Sequence, residues 1–350
     1  MGIRDVSSQA GVSTATVSRV FNTPGKVSPD VRARVLAAAQ ALGYRPDASA
    51  RSLRTRRNRT LGVVLPTLAN PVFADCLQGI ADAAGARGYA IMPATTEYRT
   101  AQEADAAERL LAQGVEGLIL CVADAGASDV LVHLQRVGRP YVLAYNRHPA
   151  HPCVSVDGQA AVAALVARLQ ALGHRRILMV SGEWAHSDRA RQRHQGYLQG
   201  MQAAGLVAES LQVPFLGEGV AQIAARLRQT PVPTALVCSN DVLAIRCLRA
   251  ARLLGLTVPQ DLSVVGFDGI TLGEDLSPAL STIVQPSAVI GRHCVALLVQ
   301  ALATDDRPAA SASLTLPLHF REGESLAATA TRRPRRSSRP VPPVPPSPST

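Results

Sequence analysis

The chain has 350 residues, with 36 Lys+Arg against 26 Asp+Glu, a formal net charge of +10 and only 3% aromatic residues. That length allows more than one domain, and the charge is uneven: residues 1–60 hold 11 Lys+Arg against 3 Asp+Glu, residues 61–330 hold 20 against 23, and residues 331–350 add 5 Arg. A basic module on a faintly acidic body suits a phosphate backbone, whose affinity comes largely from released counterions, and excludes a uniformly basic coat.

The first 22 residues predict two short helices joined at Gly11-Val12, the second opening at Ser13, whose hydroxyl can cap it. Ile3, Val6 and Ala10 share one face; Val17, Val20 and Phe21 share another. With those faces packed together, Thr14, Ala15, Ser18 and Arg19 point outward from the second helix, as a recognition helix does in the major groove. Ordinary packing of a helix pair is the plain alternative, and the local charge favours DNA. Ser28-Pro29 followed by Val31, Val35, Leu36, Ala39 and Leu42 predicts a third helix, with Pro in its first turn and Gly43 at its end. In residues 43–60, Asp47 can cap a short helix through Leu53; so short a helix is marginal in water, and a charged linker is the alternative.

The run DVSSQAGVSTATVSRVFN, then VSPDVRARVLAAAQALGYRPDASARSLRT, resembles the LacI (lactose-repressor) family of transcription factors, and the likeness extends to SVVGFDGITLGEDLSPALSTIVQP, residues 3 to about 325. The resemblance implies that Thr14, Ala15 and Arg19 read bases, Arg19 bidentate to a guanine, with Thr16, Ser18 and Asn22 on the same helix. It implies that Ser49, Arg51, Leu53 and Arg54 form a hinge helix that orders when two copies meet on DNA. Leu53 is then the wedge that kinks the minor groove. Ser49 departs from the Val or Ile usual at its position, which weakens hinge–hinge packing.

Beyond residue 60 the residues carry their own reading. Apolar runs (LGVVLP, AIMPAT, VEGLILCVA, PYVLAY, RRILMVSG, ALVCSN, SVVGFD) alternate with amphipathic helical stretches. Such a pattern indicates parallel strands covered on both faces, and about 270 residues suit two lobes. The fold expected is α/β: a helix-turn-helix head over residues 1–46, a hinge over 47–60, and a body over 61–330. The resemblance makes that body two-lobed and periplasmic-binding-protein-like, with two doubly wound parallel sheets and crossovers near 157, 285 and 315. The tail, 331–350, is basic and then proline-rich, a composition that stays disordered.

Ligands of open α/β sheets bind outside the carboxyl ends of the strands. Phe73, Asn146-Arg147, Trp184, Asn240-Asp241 and Asp268 follow predicted strands, and the resemblance places Phe73, Arg147, Arg193, Asn240 and Asp268 at the effector site. A stacking plate with planar donors and acceptors suits a polyhydroxylated ligand. Phe73 equally serves lobe packing, Asn240 a helix cap, and Asp268 a cap or an inter-lobe contact. In SDRARQRHQGY, Arg189 and Arg193 share a helix face and Arg191 points elsewhere. With Arg147 they form a three-guanidinium reading that favours an acidic ligand, a sugar acid or a phosphorylated sugar, and LPTLANPVFADCLQGI also resembles the gluconate-responsive branch. A surface salt bridge from Arg189 to Asp188 or Glu183 is the alternative.

Six Cys without a CxxC pair read as buried reduced thiols. His148 and His151 read as a solvated loop pair. There is no HExxH, GxSxG or phosphate loop, so no enzyme, cofactor or metal is expected. The start lacks a secretory pattern, and no stretch reads as spanning a bilayer. The tail lacks a leucine heptad, which in this family leaves a homodimer. The expectation is a cytoplasmic, dimeric repressor on a near-palindromic duplex operator, controlled by a carbohydrate or sugar-acid effector. A transport-type sugar-binding protein, or a regulator controlled by a partner protein, are the rivals.

Overall fold

The computed structural model describes residues 2–44, 58–217, 219–304 and 306–329. The chain divides into two units, Met1–Asn58 and Arg59–Thr350. Hinge residues Ser49, Arg51, Leu53 and Arg54, and the tail 331–350, lie outside the described residues.

The first unit holds helices α1 (Ile3–Ala10), α2 (Thr14–Asn22) and α3 (Pro29–Ala41). Gly11, at φ 62°, ends α1 in the left-handed region that suits glycine. The Ser13 hydroxyl accepts the Thr16 N–H at 3.1 Å and caps α2. Val6, Ala10, Val17, Val20, Val35, Ala38 and Ala39 form the core, with Ile3 and Phe21 packed against it. Arg34 donates to the Ala10 carbonyl at 3.0 Å, so α3 satisfies an acceptor that the end of α1 leaves open.

The second unit is two lobes, each a six-stranded sheet between helices. Lobe 1 contains β1 (Thr60–Leu65), α4 (Pro71–Gly85), β2 (Ala90–Thr95), α5 (Thr100–Ala112), β3 (Gly117–Leu120), α6 (Asp129–Val137), β4 (Tyr141–Ala144) and β5 (Cys153–Val156). Lobe 2 contains α7 (Gly158–Ala171), β6 (Ile177–Ser181), α8 (Asp188–Ala203), β7 (Glu209–Gln212), α9 (Val220–Arg228), β8 (Ala235–Cys238), α10 (Asp241–Leu253), β9 (Ser263–Asp268) and β10 (Ser281–Val284). The chain then returns to lobe 1 for α11 (Ser287–Thr304) and β11 (Leu314–Leu316), and crosses once more for β12 (His319–Arg321). The sheet orders are β11-β5-β4-β3-β1-β2 and β12-β10-β9-β8-β6-β7, every pairing parallel except β10 with β12. Three segments therefore join the lobes, at Asp157, Gln285-Pro286 and Pro317-Leu318.

Central strands are buried along nearly their whole length, as sheets covered on both faces require. β2 departs from the all-apolar expectation, and both β2 and β7 are half exposed because each is a sheet edge. In lobe 1, α4 and α11 pack on one face of the sheet and α5 and α6 on the other. The α4–α11 approach is set by glycine. A Cβ on Gly79 would lie 2.2 Å from the Ala288 carbonyl oxygen, and one on Gly291 2.3 Å from that of Cys76. α11 corrects one expectation: by length and composition it is apolar enough to cross a membrane. It is instead a core helix, with Ile290, Cys294, Val295 and Leu298 buried against lobe 1. All six cysteines are free and buried, and burial pushes the Cys76 and Cys121 thiols up to about 12. His151 is another correction. It is buried rather than solvated, because its Nδ1 lies 2.7 Å from the Tyr141 hydroxyl on β4.

Candidate functional sites: an exposed head helix and the inter-lobe cleft

On α2, Thr14, Ala15, Arg19 and Asn22 are exposed, and Thr16 and Ser18 are half-buried. The Thr16 hydroxyl lies 2.9 Å from the capping Ser13 hydroxyl. Asn22 donates to the Ser18 carbonyl at 2.7 Å and to its hydroxyl at 3.2 Å, so its amide is occupied with the helix end. Among the described residues nothing pairs with the Arg19 guanidinium, which leaves its fork of donors for an outside acceptor.

In the body, a cavity opens where strand ends of the two lobes face each other. Lobe 1 contributes Asn70, Val72 and Phe73 from the start of α4, Tyr98 from the β2–α5 loop and Tyr145 from the end of β4. Lobe 2 contributes Ser187, Arg189, Ala190 and Arg193 from α8, then Phe215, Ser239, Asn240 and Asp268, with Gln285 at a crossing.

Asp268 is the polar centre. It is 4% exposed, accepts from Gln285 at 2.7 Å and from Asn70 across the cleft at 3.2 Å, and lies 3.6 Å from Arg193. Burial raises its carboxyl to about 6, against the opposing pull of Arg193 and the two amide donors. Behind it Asp241 is raised to about 7 by burial and then by the Asp268 charge, although Thr282, Gly269 and Ile270 all donate to it. Arg193 also donates to the Ser239 carbonyl and lies 3.7 Å over the Phe267 ring. Arg189 donates to the Val122 carbonyl at 2.6 Å and pairs with Asp188 at 3.1 Å.

A seam beside the cavity joins the lobes. Asn146 donates to both Asp188 carboxylate oxygens at 3.0 and 2.9 Å, the Asp188 N–H reaches the Ala123 carbonyl at 2.6 Å, and Arg191 pairs with Asp124 at 2.7 Å. Nearby, burial raises Glu103 to about 7.

The cavity thus brings together Phe73, Arg189, Arg193, Asn240 and Asp268 of the expected residues. Asn240 also caps α10, accepting the Leu243 N–H at 2.7 Å, so both of its readings hold in one residue. Phe73 meets the Tyr145 ring edge-on at 5.5 Å, which makes it packing and lining at once. The Arg189–Asp188 pair is buried, not a surface bridge.

Two residues fall outside. Arg147 is exposed, drawn to the Asp157 carboxylate at 2.6 Å. Trp184 stacks on His194 at 3.9 Å and donates to Ser181, away from the lining. The three-guanidinium convergence is therefore corrected to two arginines, each holding a carboxylate. Asn70, Tyr98, Tyr145, Phe215, Ser239 and Gln285 escaped sequence reading. The strand-end rule could have found Tyr145, Ser239 and Gln285, which follow β4, β8 and β10.

Residues 2–47 match the model of bacterial regulatory proteins of the lacI family, and residues 166–326 match that of a periplasmic binding protein-like domain. The HTH-type transcriptional repressor CytR of Escherichia coli (strain K12) is 33% identical over 303 residues, covering 85% of this chain and 88% of that protein. The Lac repressor dimer bound to operator and the anti-inducer ONPF shares 26% identity at a TM-score of 0.82, covering 95% of this chain and 99% of that one. A transcriptional regulator CelR–cellobiose complex shares 28% identity at a TM-score of 0.66, covering 93% and 99%. With a head, a two-lobed body and a full-length relative all matching, this chain belongs to the lacI family of bacterial regulatory proteins.

Proposed function

We propose that the protein is a sequence-specific DNA-binding repressor whose operator affinity is set by a neutral, hydroxylated, carbohydrate-type effector held between the lobes. The observation that carries the effector reading is the buried Asp268 network, where Arg193, Asn70 and Gln285 converge on one carboxylate at the end of β9. Such alternating donors and acceptors match vicinal hydroxyls. The network also spans both lobes, so a ligand bound there has different affinity for open and closed forms, which is the requirement for coupling.

In the head, Arg19 reads a guanine and Thr14 and Ala15 meet neighbouring bases, with Thr16, Ser18 and Asn22 shaping the same helix. Two heads of a homodimer meet successive half-sites of a near-palindrome. The hinge residues Ser49, Arg51, Leu53 and Arg54 contact the operator centre. The residue ranges 1–46, 47–60 and 61–330 are head, hinge and body. A repressor of this kind acts in the cytoplasm and catalyses nothing. The transport-type rival is not favoured, because it gives the head no role.

The narrower sugar-acid reading, as in the gluconate-responsive branch, has Arg189 and Arg193 at the cavity wall in its support. Each already neutralises a carboxylate, so we place an acid behind a neutral polyol. A thermal-shift panel of sugars, sugar acids and sugar phosphates tests the choice. Ligand at about 100 times Kd adds roughly 2.7 kcal/mol to stability. A response to acids alone would reverse the order, and silence across the panel would move the control to a partner protein.

A further inference from the structure

Tyr98 and Phe215 come from opposite lobes, yet their rings stack with centroids 4.4 Å apart and planes 9° from parallel. Both line the cavity, where Phe73 and Tyr145 stand as further aromatic walls. The chain has only 12 aromatic residues, 1 Trp, 6 Tyr and 5 Phe, so a third of a scarce residue class meets at one place.

Each stacking plate is held by its own lobe. Tyr98 sits at φ 61° and its neighbour Glu97 at φ 50°, left-handed conformations that ordinary side chains avoid and that gather at functional sites. Phe215 lies against Gly182, where a Cβ would come within 2.1 Å of its ring. Arg246 ties the backbone on either side, donating to the Pro214 carbonyl at 2.9 Å and to that of Phe215 at 3.2 Å. With the plates together, the cavity keeps only about 30 Å³ of free space, room for about two waters and far too little for a sugar.

A second, independent observation concerns polarity. The Gln285 Nε2 donates to Asp268, which fixes the amide orientation, and leaves the buried Oε1 without a donor among the described residues. A buried acceptor without a partner is costly, and an O–H or N–H from a ligand would satisfy it.

Resting on the effector reading above, we infer that the ligand is a sugar capped by a flat unsaturated ring, the ring entering between Tyr98 and Phe215 while the hydroxyls meet the Asp268 network. Two stacking contacts of roughly 3.5 Å each require the plates to part to about 7 Å. Ligand binding therefore replaces a direct lobe-to-lobe stack with a three-layer one. Nucleosides and aryl glycosides both carry this chemistry, and flat rings stack on such plates with little regard to ring identity.

The test is calorimetric titration of the full-length protein with adenosine, uridine and phenyl glucoside, each beside its parent sugar, ribose or glucose, and with gluconate. The expected result is binding at least tenfold tighter for a ring-capped sugar than for its parent, and the tighter arm separates nucleoside from aryl glycoside. Tyr98→Leu and Phe215→Leu should each cost the ring-capped ligand tenfold or more and the parent sugar less than twofold. Parent sugars binding as tightly as their capped forms would overturn the ring inference and leave the carbohydrate reading standing, as would variants that weaken both ligands equally. Silence from every compound would overturn both.

Discussion

Replacing Arg193 by Met tests the electrostatics of the cleft without emptying it. The stem is kept, while the guanidinium beside Asp268 and over Phe267 is removed. In the unfolded chain the Asp268 carboxyl has its ordinary value of 3.8, and in the fold it is raised to about 6. The folded state therefore holds this proton more tightly. The carboxyl's contribution to stability is fully present below about pH 4 and is lost as pH rises through about 6, by roughly 3 kcal/mol. Arg193 limits that loss. Without it, at pH 8, a buried carboxylate keeps the Asn70 and Gln285 amides and the weaker pull of the Arg189 charge, and breaking a buried pair from one side costs about 3–5 kcal/mol. The two amides set the lower end, about 3 kcal/mol. At pH 5 the carboxyl is largely protonated in both proteins, and only the hydrogen bond to Ser239 and the ring contact are lost, about 1 kcal/mol. Urea unfolding followed through Trp184, which reports on lobe 2, gives both values. The double variant with Asp268→Asn should recover most of the pH 8 loss. Equal losses at pH 5 and pH 8, or strict additivity in the double variant, would refute the reasoning.

Arg19→Ala should relax operator preference at one base of each half-site and cost roughly 1–3 kcal/mol in a competition gel shift; an unchanged preference would remove Arg19 from base reading. Ser13→Ala, which deletes the cap on α2, should cost the head about 1 kcal/mol, seen as a lower melting temperature of its helical signal by circular dichroism, and no change would mean that the cap is idle. Leu53→Ala should weaken operator binding and leave effector affinity intact in parallel anisotropy and calorimetric titrations. Loss of both would end the hinge assignment.

The head was legible because its determinants are local. Ser13 caps within one turn, Gly11 takes its left-handed φ beside it, and the apolar spacing of Val6, Ala10, Val17 and Val20 needs no distant partner. The strand ends were legible for the same reason, and they led to Asn240 and Asp268. That rule gives a place along the chain but not a direction. Asn146 turns into the lobe seam, while Arg147, one residue on, faces out to a carboxylate that sequence does not mark. Tyr98 and Phe215 sit in loops whose aim is set by backbone conformation and by Gly182 and Arg246, residues far away in the chain. His151 reads wrongly as solvated because its burial depends on Tyr141 of β4, a partner that local sequence does not show.

In the proposed function one molecule both reads a duplex and has that reading set by a small ligand. Its most direct test is fluorescence anisotropy of a duplex selected from random sequence by the full-length protein, titrated at fixed salt with and without the tightest ligand from the panel. A near-palindromic selected site is expected, with an operator affinity that the ligand shifts by about five- to 150-fold, the usual range of such coupling. A selected pool without two related half-sites, or an affinity that saturating ligand leaves untouched, would contradict it.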